Sequence, residues 1–254
     1  MTKSAVDQDA KGTVNKEEIA HFSKLSKEWW DPKGPLMTLH MVTPFRMEYI
    51  RRQICEHFGR NPNDPMPLKG LTMLDVGCGG GLVTEPLARL GATVVGIDPS
   101  STNVAVAALH AVESRLAIDY RAESAEAMAA TGQKFDVVLS LEVVEHVSDV
   151  ELFIGACGKM VKPRGLMVAS TVNRTPQAFL LLIVAAEYVL RWIPRGTHHY
   201  DKLVTPKELT AAFNKAGLDV KAMNGAKYLP LEGRWAPTRT LAISYFMVGV
   251  KNRP

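Results

Sequence analysis

The sequence predicts an α/β fold: a mostly parallel sheet with helices on both faces and an antiparallel hairpin at the C-terminal end. Three observations carry that prediction. From about residue 71, short apolar runs alternate with segments of helical periodicity, as βαβ units around a parallel sheet do. A glycine-rich turn, Gly77-Cys78-Gly79-Gly80-Gly81, follows the first of those runs, where a strand would pass into a helix. The last two runs, at 219–228 and 240–250, read as strands that close the sheet as a hairpin. At 254 residues, 46% hydrophobic and 22% charged, the chain can bury one sizeable core and is neither disordered nor fibrous in composition.

The elements follow in order. Asn15 with Glu18 three residues on makes a capping-box pattern, and Ile19, Phe22, Leu25, Ser26 and Trp29 continue at helical spacing to a broken end at Trp30-Asp31-Pro32. Thr43 before Pro44 starts a second helix, whose apolar residues Phe45, Met47, Ile50, Ile54 and Phe58 run to Gly59. Residues 61–67, rich in Pro and Asn, read as a linker. This divides the chain into an N-terminal helical extension, 1–66, that helps to close a site, and a main domain, 67–254, with an apolar insertion at about 174–204. Strands are expected at 72–76, 93–98, 118–121, 135–139 and 166–171, with helices at 82–90, 102–112, 124–130 and 150–161. With the hairpin these make seven strands. Thr205-Pro206-Lys207-Glu208 is a second capping box, opening a helix that stops at Gly217.

Composition narrows the function classes. A formal charge of +4 suits an anionic surface, but the excess is small and not gathered into a basic run. Cys55, Cys78 and Cys157 form no C-x-x-C pair, which disfavours a disulfide framework or a structural zinc site and fits a reducing cytoplasm. The first eighteen residues are polar and carry Asp7, Asp9, Glu17 and Glu18, unlike a secretory signal or an Arg-rich presequence. A bacterial-type cytoplasmic protein is the reading.

The glycine turn is the first chemical signal. Counted from Gly77, a dinucleotide fingerprint G-x-G-x-x-G would place its third glycine where Leu82 stands; the glycines here fall as G-x-G-x-G behind Asp75. An acidic start suits a ligand bearing an ammonium and a sulfonium, and a helix N-terminus behind the turn offers free amides. Asp98 ends the second predicted strand, where a carboxylate accepts both hydroxyls of a ribose. Glu123, after the third strand, is placed to meet an adenine, or is a first-turn helix acid. Leu141, after the fourth strand, is placed to flank a methionine moiety, or is core. These features point to S-adenosylmethionine.

Trp29-Trp30-Asp31, Leu39-His40 with Pro44-x-Arg46, the 74–81 loop, Glu142-Val143-Val144-Glu145-His146, Thr171-x-Asn173-Arg174, Glu187-Tyr188 and Gly196-Thr197-His198 together resemble the ubiquinone-biosynthesis O-methyltransferase family. The resemblance runs from about residue 16 to the end and implies a Rossmann-like methyltransferase fold. It also implies methylation of a phenolic oxygen on polyprenylated catechol intermediates, with adenosylmethionine as donor. Matched by position, it places Arg46, Gly77, Asp98 and Leu141 against the donor, beside Asp75, Gly79, Gly81 and Glu123 from the reading above. Thr43 departs from the family's usual Asn before the Pro, and both residues cap helices.

Glu142, Glu145 and His146 stand at i, i+3 and i+4, on one face if the turn is helical. Two readings stay open: a ligand set for a hard cation such as Mg²⁺, or a solvated acidic helix start with His146 as general base. Residues 176–194 are apolar apart from the charges of Glu187 and Arg191 and too short to span a bilayer. They form either a buried core helix or an interfacial one, with Arg191 and Trp192 at headgroup level and Phe179, Leu182 and Ile183 against the isoprenoid tail. His198 in the following loop is a candidate substrate contact or base, although paired loop histidines are most often solvated. The expected partners are a polyprenyl phenol or catechol, the inner-membrane surface from the cytoplasmic side, and other enzymes of ubiquinone biosynthesis. Nucleic acid is disfavoured, because Ser140-Leu141-Glu142-Val143 replaces the D/N-P-P-Y/F segment of exocyclic-amine methylases. Leu82 and the missing second mononucleotide half oppose a nicotinamide dehydrogenase. A methyltransferase for a small soluble phenol and a non-enzymatic adenosylmethionine sensor are the alternatives.

Overall fold

The computed structural model describes residues 12–190, 192–229 and 232–252; Asp7, Asp9 and Arg191 lie outside them. Five strands, β1 (Thr72–Val76), β2 (Thr93–Ile97), β3 (Asp119–Arg121), β4 (Phe135–Leu141) and β5 (Val161–Val172), pair in parallel in the order β3-β2-β1-β4-β5. Three more, β6 (Leu218–Leu229), β7 (Arg234–Thr238) and β8 (Ser244–Lys251), extend the sheet antiparallel as β8-β6-β7. Among the described residues the sheet thus has eight strands, where the sequence predicts seven. The unpredicted one, β7, is short and contains Pro237, which is tolerated because β7 is an edge strand. The predicted antiparallel pair stands as β6 against β8, with β8 beside β5 and β7 added on the far edge of β6.

The strands read as continuous apolar runs because both faces are buried. Leu74, Val138 and Met167 point into a core shared with Met128, Phe153, Ile154 and Phe213. Their neighbours Met73, Val137 and Val168 point into the opposite core, with Ile50, Ile54 and Leu87. Helices α1 (Lys16–Lys24), α2 (Met37–His57), α3 (Thr84–Arg89), α4 (Ser101–Glu113), α5 (Ala125–Ala130), α6 (Val150–Met160), α7 (Pro176–Ala178) and α8 (Pro206–Lys215) account for the predicted helical segments. Ser100, Ser124 and Asp149 cap α4, α5 and α6, and Thr205 with Glu208 forms the predicted box on α8.

Three local expectations change. The second helix begins at Met37, not at Thr43; Pro44 lies inside it, and Thr43 Oγ1 donates to Leu39 O instead of capping. Asn15 does cap α1, accepting from the amides of Glu17 and Glu18, but the Glu18 carboxylate leaves the box for distant partners. The apolar segment opens as α7 behind the Thr175 cap and then widens into a π-helix over Phe179–Val189, a form that 3.6-residue periodicity cannot reveal.

The sheet order reverses direction of growth at β1: β2 and β3 lie on one side, β4 and β5 on the other. In such a sheet the crevice beyond the carboxyl ends of the strands at the reversal is where ligands bind. The glycine turn, Asp98 and Glu142 all emerge there.

Candidate active site

A cavity of about 650 Å³ opens at this crevice. Arg46, Asp75, Gly77, Gly79, Asp98, Glu123 and Leu141 line it, as do Glu142 and His146, Leu182 and Trp192. Four predicted site residues do not. Gly81 packs under the loop, where a Cβ would lie 2.4 Å from the Tyr120 hydroxyl. Glu145 is buried beneath the cavity floor. Ile183 is buried on the inner side of the π-helix at 8% exposure, and Phe179, 43% exposed, packs edge-on against Tyr200.

The glycine turn is held in place by bonds within the protein. Gly77 N and Cys78 N donate to Ile97 O, Gly79 N donates to Asp98 Oδ2 at 3.0 Å, and Gly81 N donates to Cys78 O. Those four amides are bonded inside the protein. Gly79, at φ +53, lies against the Trp29 ring, which a Cβ would approach to 2.3 Å, and a Cβ on Gly77, at φ +75, would meet Val143 at 2.5 Å. The N-terminal extension therefore packs directly on the turn. Trp29 Nε1 donates to Asn103 Oδ1 at 3.1 Å, and Asn103 Nδ2 donates to Asp98 Oδ1 at 3.3 Å, so the same extension braces Asp98.

Asp98 is 8% exposed and also accepts from Ser100 N at 2.9 Å. Burial pushes its carboxyl up against the three hydrogen bonds that favour the anion. Asp75 sits deeper, bonded to Thr84 Oγ1 at 2.6 Å, and burial raises it to about 6. Arg46 is buried with its guanidinium 3.2 Å from Glu142 Oε1, and its Nε has no partner among the described residues.

The Glu142, Glu145 and His146 group is not a helical face. Glu142 has a left-handed backbone at φ +55, which costs a non-glycine residue about 1–2 kcal/mol, and only Val144–His146 form a 3₁₀ turn. That conformation separates the three side chains. Glu142 accepts from Ser170 Oγ at 2.7 Å besides pairing with Arg46; Glu145 accepts from Thr171 Oγ1 at 2.9 Å; His146 turns to Glu18, with Nδ1 3.1 Å from its Oε2. Among the described residues no three His, Cys, Asp or Glu side chains gather as a metal set, so the three-residue ligand set is corrected. What remains is a carboxylate pair. Burial first, then the charge of Glu142, pushes Glu145 well above the usual carboxylate range, and its buried Oε1 has no partner among the described residues.

Two features of the site escape sequence reasoning. Glu18, 128 residues from His146, also pairs with Lys202 at 2.9 Å. Burial alone would raise its carboxyl, but the hydrogen bonds and charges of His146 and Lys202 outweigh this and hold it at about 2. Glu187, fully buried in the π-helix, accepts from the amides of Gly196 and His198 and lies 2.7 Å from His198 Nδ1. The interruption of an apolar run by one acid was the available signal for Glu187; Glu18 carried none beyond its place in a cap.

A parallel sheet reversing at β1, a glycine turn bonded to an acid at the end of β2, and a cavity at the strand ends define an S-adenosylmethionine-dependent methyltransferase. The family model described as "Methyltransferase domain" matches residues 74–169. A curated ubiquinone biosynthesis O-methyltransferase from Brucella ovis is 54% identical over 241 residues, 95% of this chain and 97% of its own, and one from Chelativorans sp. is 53% identical over 239 residues, 94% of each. The chain belongs to the ubiquinone biosynthesis O-methyltransferase family. Among solved structures, magnesium protoporphyrin IX methyltransferase from Synechocystis PCC 6803 with bound SAH is 17% identical, with a TM-score of 0.62 over 92% of this chain and 94% of that one. The [4+2]-cyclase SpnF, also 17% identical, has a TM-score of 0.56 over 82% and 81%. At that identity both show the fold alone, and the cyclase illustrates that one fold hosts several chemistries.

Proposed function

We propose that this chain methylates a phenolic oxygen of polyprenylated catechols in ubiquinone biosynthesis, at the cytoplasmic surface of the bacterial inner membrane. One observation carries the reading: Asp98 and Arg46, suited to a donor, share a single cavity with a carboxylate-held histidine and with the apolar side chains of Leu181, Leu182, Ala185 and Leu190.

Adenosylmethionine supplies a sulfonium methyl for in-line displacement. Asp98 accepts the ribose hydroxyls, and Arg46, with its spare Nε, meets the carboxylate of the methionine part. Glu123 borders the adenine and Leu141 the methionine part. Glu18 stays anionic across the working range and holds His146 with Nδ1 protonated, leaving Nε2 to take the phenolic proton. The phenolic oxygen then forms its bond to the methyl carbon while the carbon–sulfur bond breaks and its electron pair stays on sulfur. The N-terminal helices close the site, through Trp29 on the glycine turn and Glu18 on His146.

The magnesium expectation narrows to Glu142 and Glu145. The buried, unpartnered Glu145 Oε1 favours a cation there, and Arg46, which pairs with Glu142, is the group it would displace. A divalent cation at that pair would act as a Lewis acid on the phenolate oxygen. The test is release of adenosylhomocysteine with a prenylated catechol, with chelator and after Mg²⁺ is restored. Turnover that falls in chelator and returns with Mg²⁺ is expected; no turnover under any of these conditions would overturn the function. Full activity in chelator would leave His146 as the sole means of deprotonation.

Among the described residues no helix is long and apolar enough to cross a membrane. The π-helix nevertheless exposes a run of apolar side chains, with Leu180 at 58% and Val189 at 69%, beside Tyr188 and Leu190. Such a surface suits an interfacial helix. Leu180→Glu with Val189→Glu should release the protein from anionic liposomes at unchanged melting temperature, whereas Ile183→Glu should unfold it by burying an unpaired charge. Co-sedimentation that survives the double substitution would remove these residues from the membrane contact.

A further inference from the structure

His146 is not the only histidine in the cavity held by a carboxylate. His198 lines it too, and Glu187 Oε1 lies 2.7 Å from His198 Nδ1 while also accepting from the His198 amide at 3.0 Å. Glu187 Oε2 accepts from Gly196 N at 2.9 Å, so one fully buried carboxylate fixes both the loop backbone and the ring. Both rings are largely withdrawn from solvent, with side chains 13% exposed at His146 and 10% at His198.

An ionised carboxylate only accepts, so in each neutral ring Nδ1 carries the proton and Nε2 keeps its lone pair. The two rings stand with centroids 6.3 Å apart and planes tilted by 36°. They come from separate elements, the 3₁₀ turn after β4 and the loop after the π-helix. At that separation they do not stack, and both line the same cavity, where the two neighbouring oxygens of a catechol offer one hydrogen bond, about 2.7–3.0 Å long, to each ring. A surface histidine pair has no reason to be built this way. Two acids far apart in sequence, Glu18 half-buried and Glu187 fully buried, each hold a histidine that lines the same cavity.

We propose that His198, oriented by Glu187, accepts a hydrogen bond from the hydroxyl adjacent to the one that is methylated, so that the site selects vicinal dihydroxy aromatics over single phenols. His198 is a specificity contact, and Glu187 is its positioning residue. The inference rests on the phenol-methylating function proposed above.

The experiment compares a prenylated catechol with the monohydroxy compound of the same tail, in wild type and in His198→Ala, His198→Asn and His198→Gln, with adenosylhomocysteine affinity and melting temperature measured on each. Asn places a polar atom near the position of Nδ1 and restores the link to Glu187; Gln places an acceptor near the position of Nε2 and restores the reach to substrate. Wild type should prefer the catechol in kcat/KM. His198→Ala and His198→Asn should lose about tenfold or more on the catechol, chiefly through KM, with little change on the monohydroxy compound, because one hydrogen bond to substrate is gone. Gln should recover part of the preference, and donor affinity should stay constant in all. An unchanged preference in His198→Ala, or a recovery by Asn equal to that by Gln, would overturn the proposal. Wild type inert toward both acceptors would instead overturn the function on which it rests.

Discussion

Asp98→Ala should abolish measurable donor binding. In the donor pose proposed above the carboxylate accepts two ribose hydroxyls, and in the structure it accepts from Gly79 N, Ser100 N and Asn103 Nδ2. Hydrogen bonds to a charged acceptor contribute about 1.5–3 kcal/mol each, so losing the ribose contacts alone should weaken adenosylhomocysteine by about a hundredfold or more. The three protein donors left without an acceptor would add to this by releasing the glycine turn. Calorimetry with adenosylhomocysteine is the measurement, accompanied by thermal melts to show that the sheet survives. Equal affinity in both proteins would remove Asp98 from the donor site, and with it the orientation of the donor in the crevice.

His146→Ala should produce the complementary pattern: donor affinity retained and turnover lost. A positioned general base contributes about a hundred- to ten-thousandfold, and the fall should appear in kcat at saturating acceptor. Glu18→Gln tests the support behind it. Glu18 touches His146 and Lys202, so its neutralisation should lower kcat by less than removal of the ring, with KM and melting temperature near wild type. Glu18→Asp should restore part of the rate. A His146→Ala enzyme that turns over as wild type does would assign deprotonation to the Glu142 and Glu145 pair.

The parallel core, the capped starts of α1 and α8 and the position of Asp98 were legible because each is written in local chemistry: continuous apolar runs for strands buried on both faces, Asn and Thr at helix starts, an acid at a strand end. The class and family followed from the glycine spacing and from motifs spread along the chain. Less legible was β7, whose few residues and Pro237 give no strand signal until β6 is there to pair with it.

The site itself was decided in three dimensions. The i, i+3, i+4 spacing of Glu142, Glu145 and His146 assumed a helix, but the left-handed backbone at Glu142 turned the carboxylates toward Ser170 and Thr171 and the imidazole toward Glu18. The packing of Trp29 against Gly79 joins the N-terminal extension to the glycine turn, a contact that local spacing does not carry. Alone, the sequence determined which elements form and which residue types stand at their ends, because caps, periodicity and turn glycines act over a few residues. Only the tertiary structure decided which acid holds which histidine. Those pairs join α1 to the turn after β4 and the π-helix to the loop beyond it, and burial, which makes such hydrogen bonds strong, exists only once the cavity has closed around them.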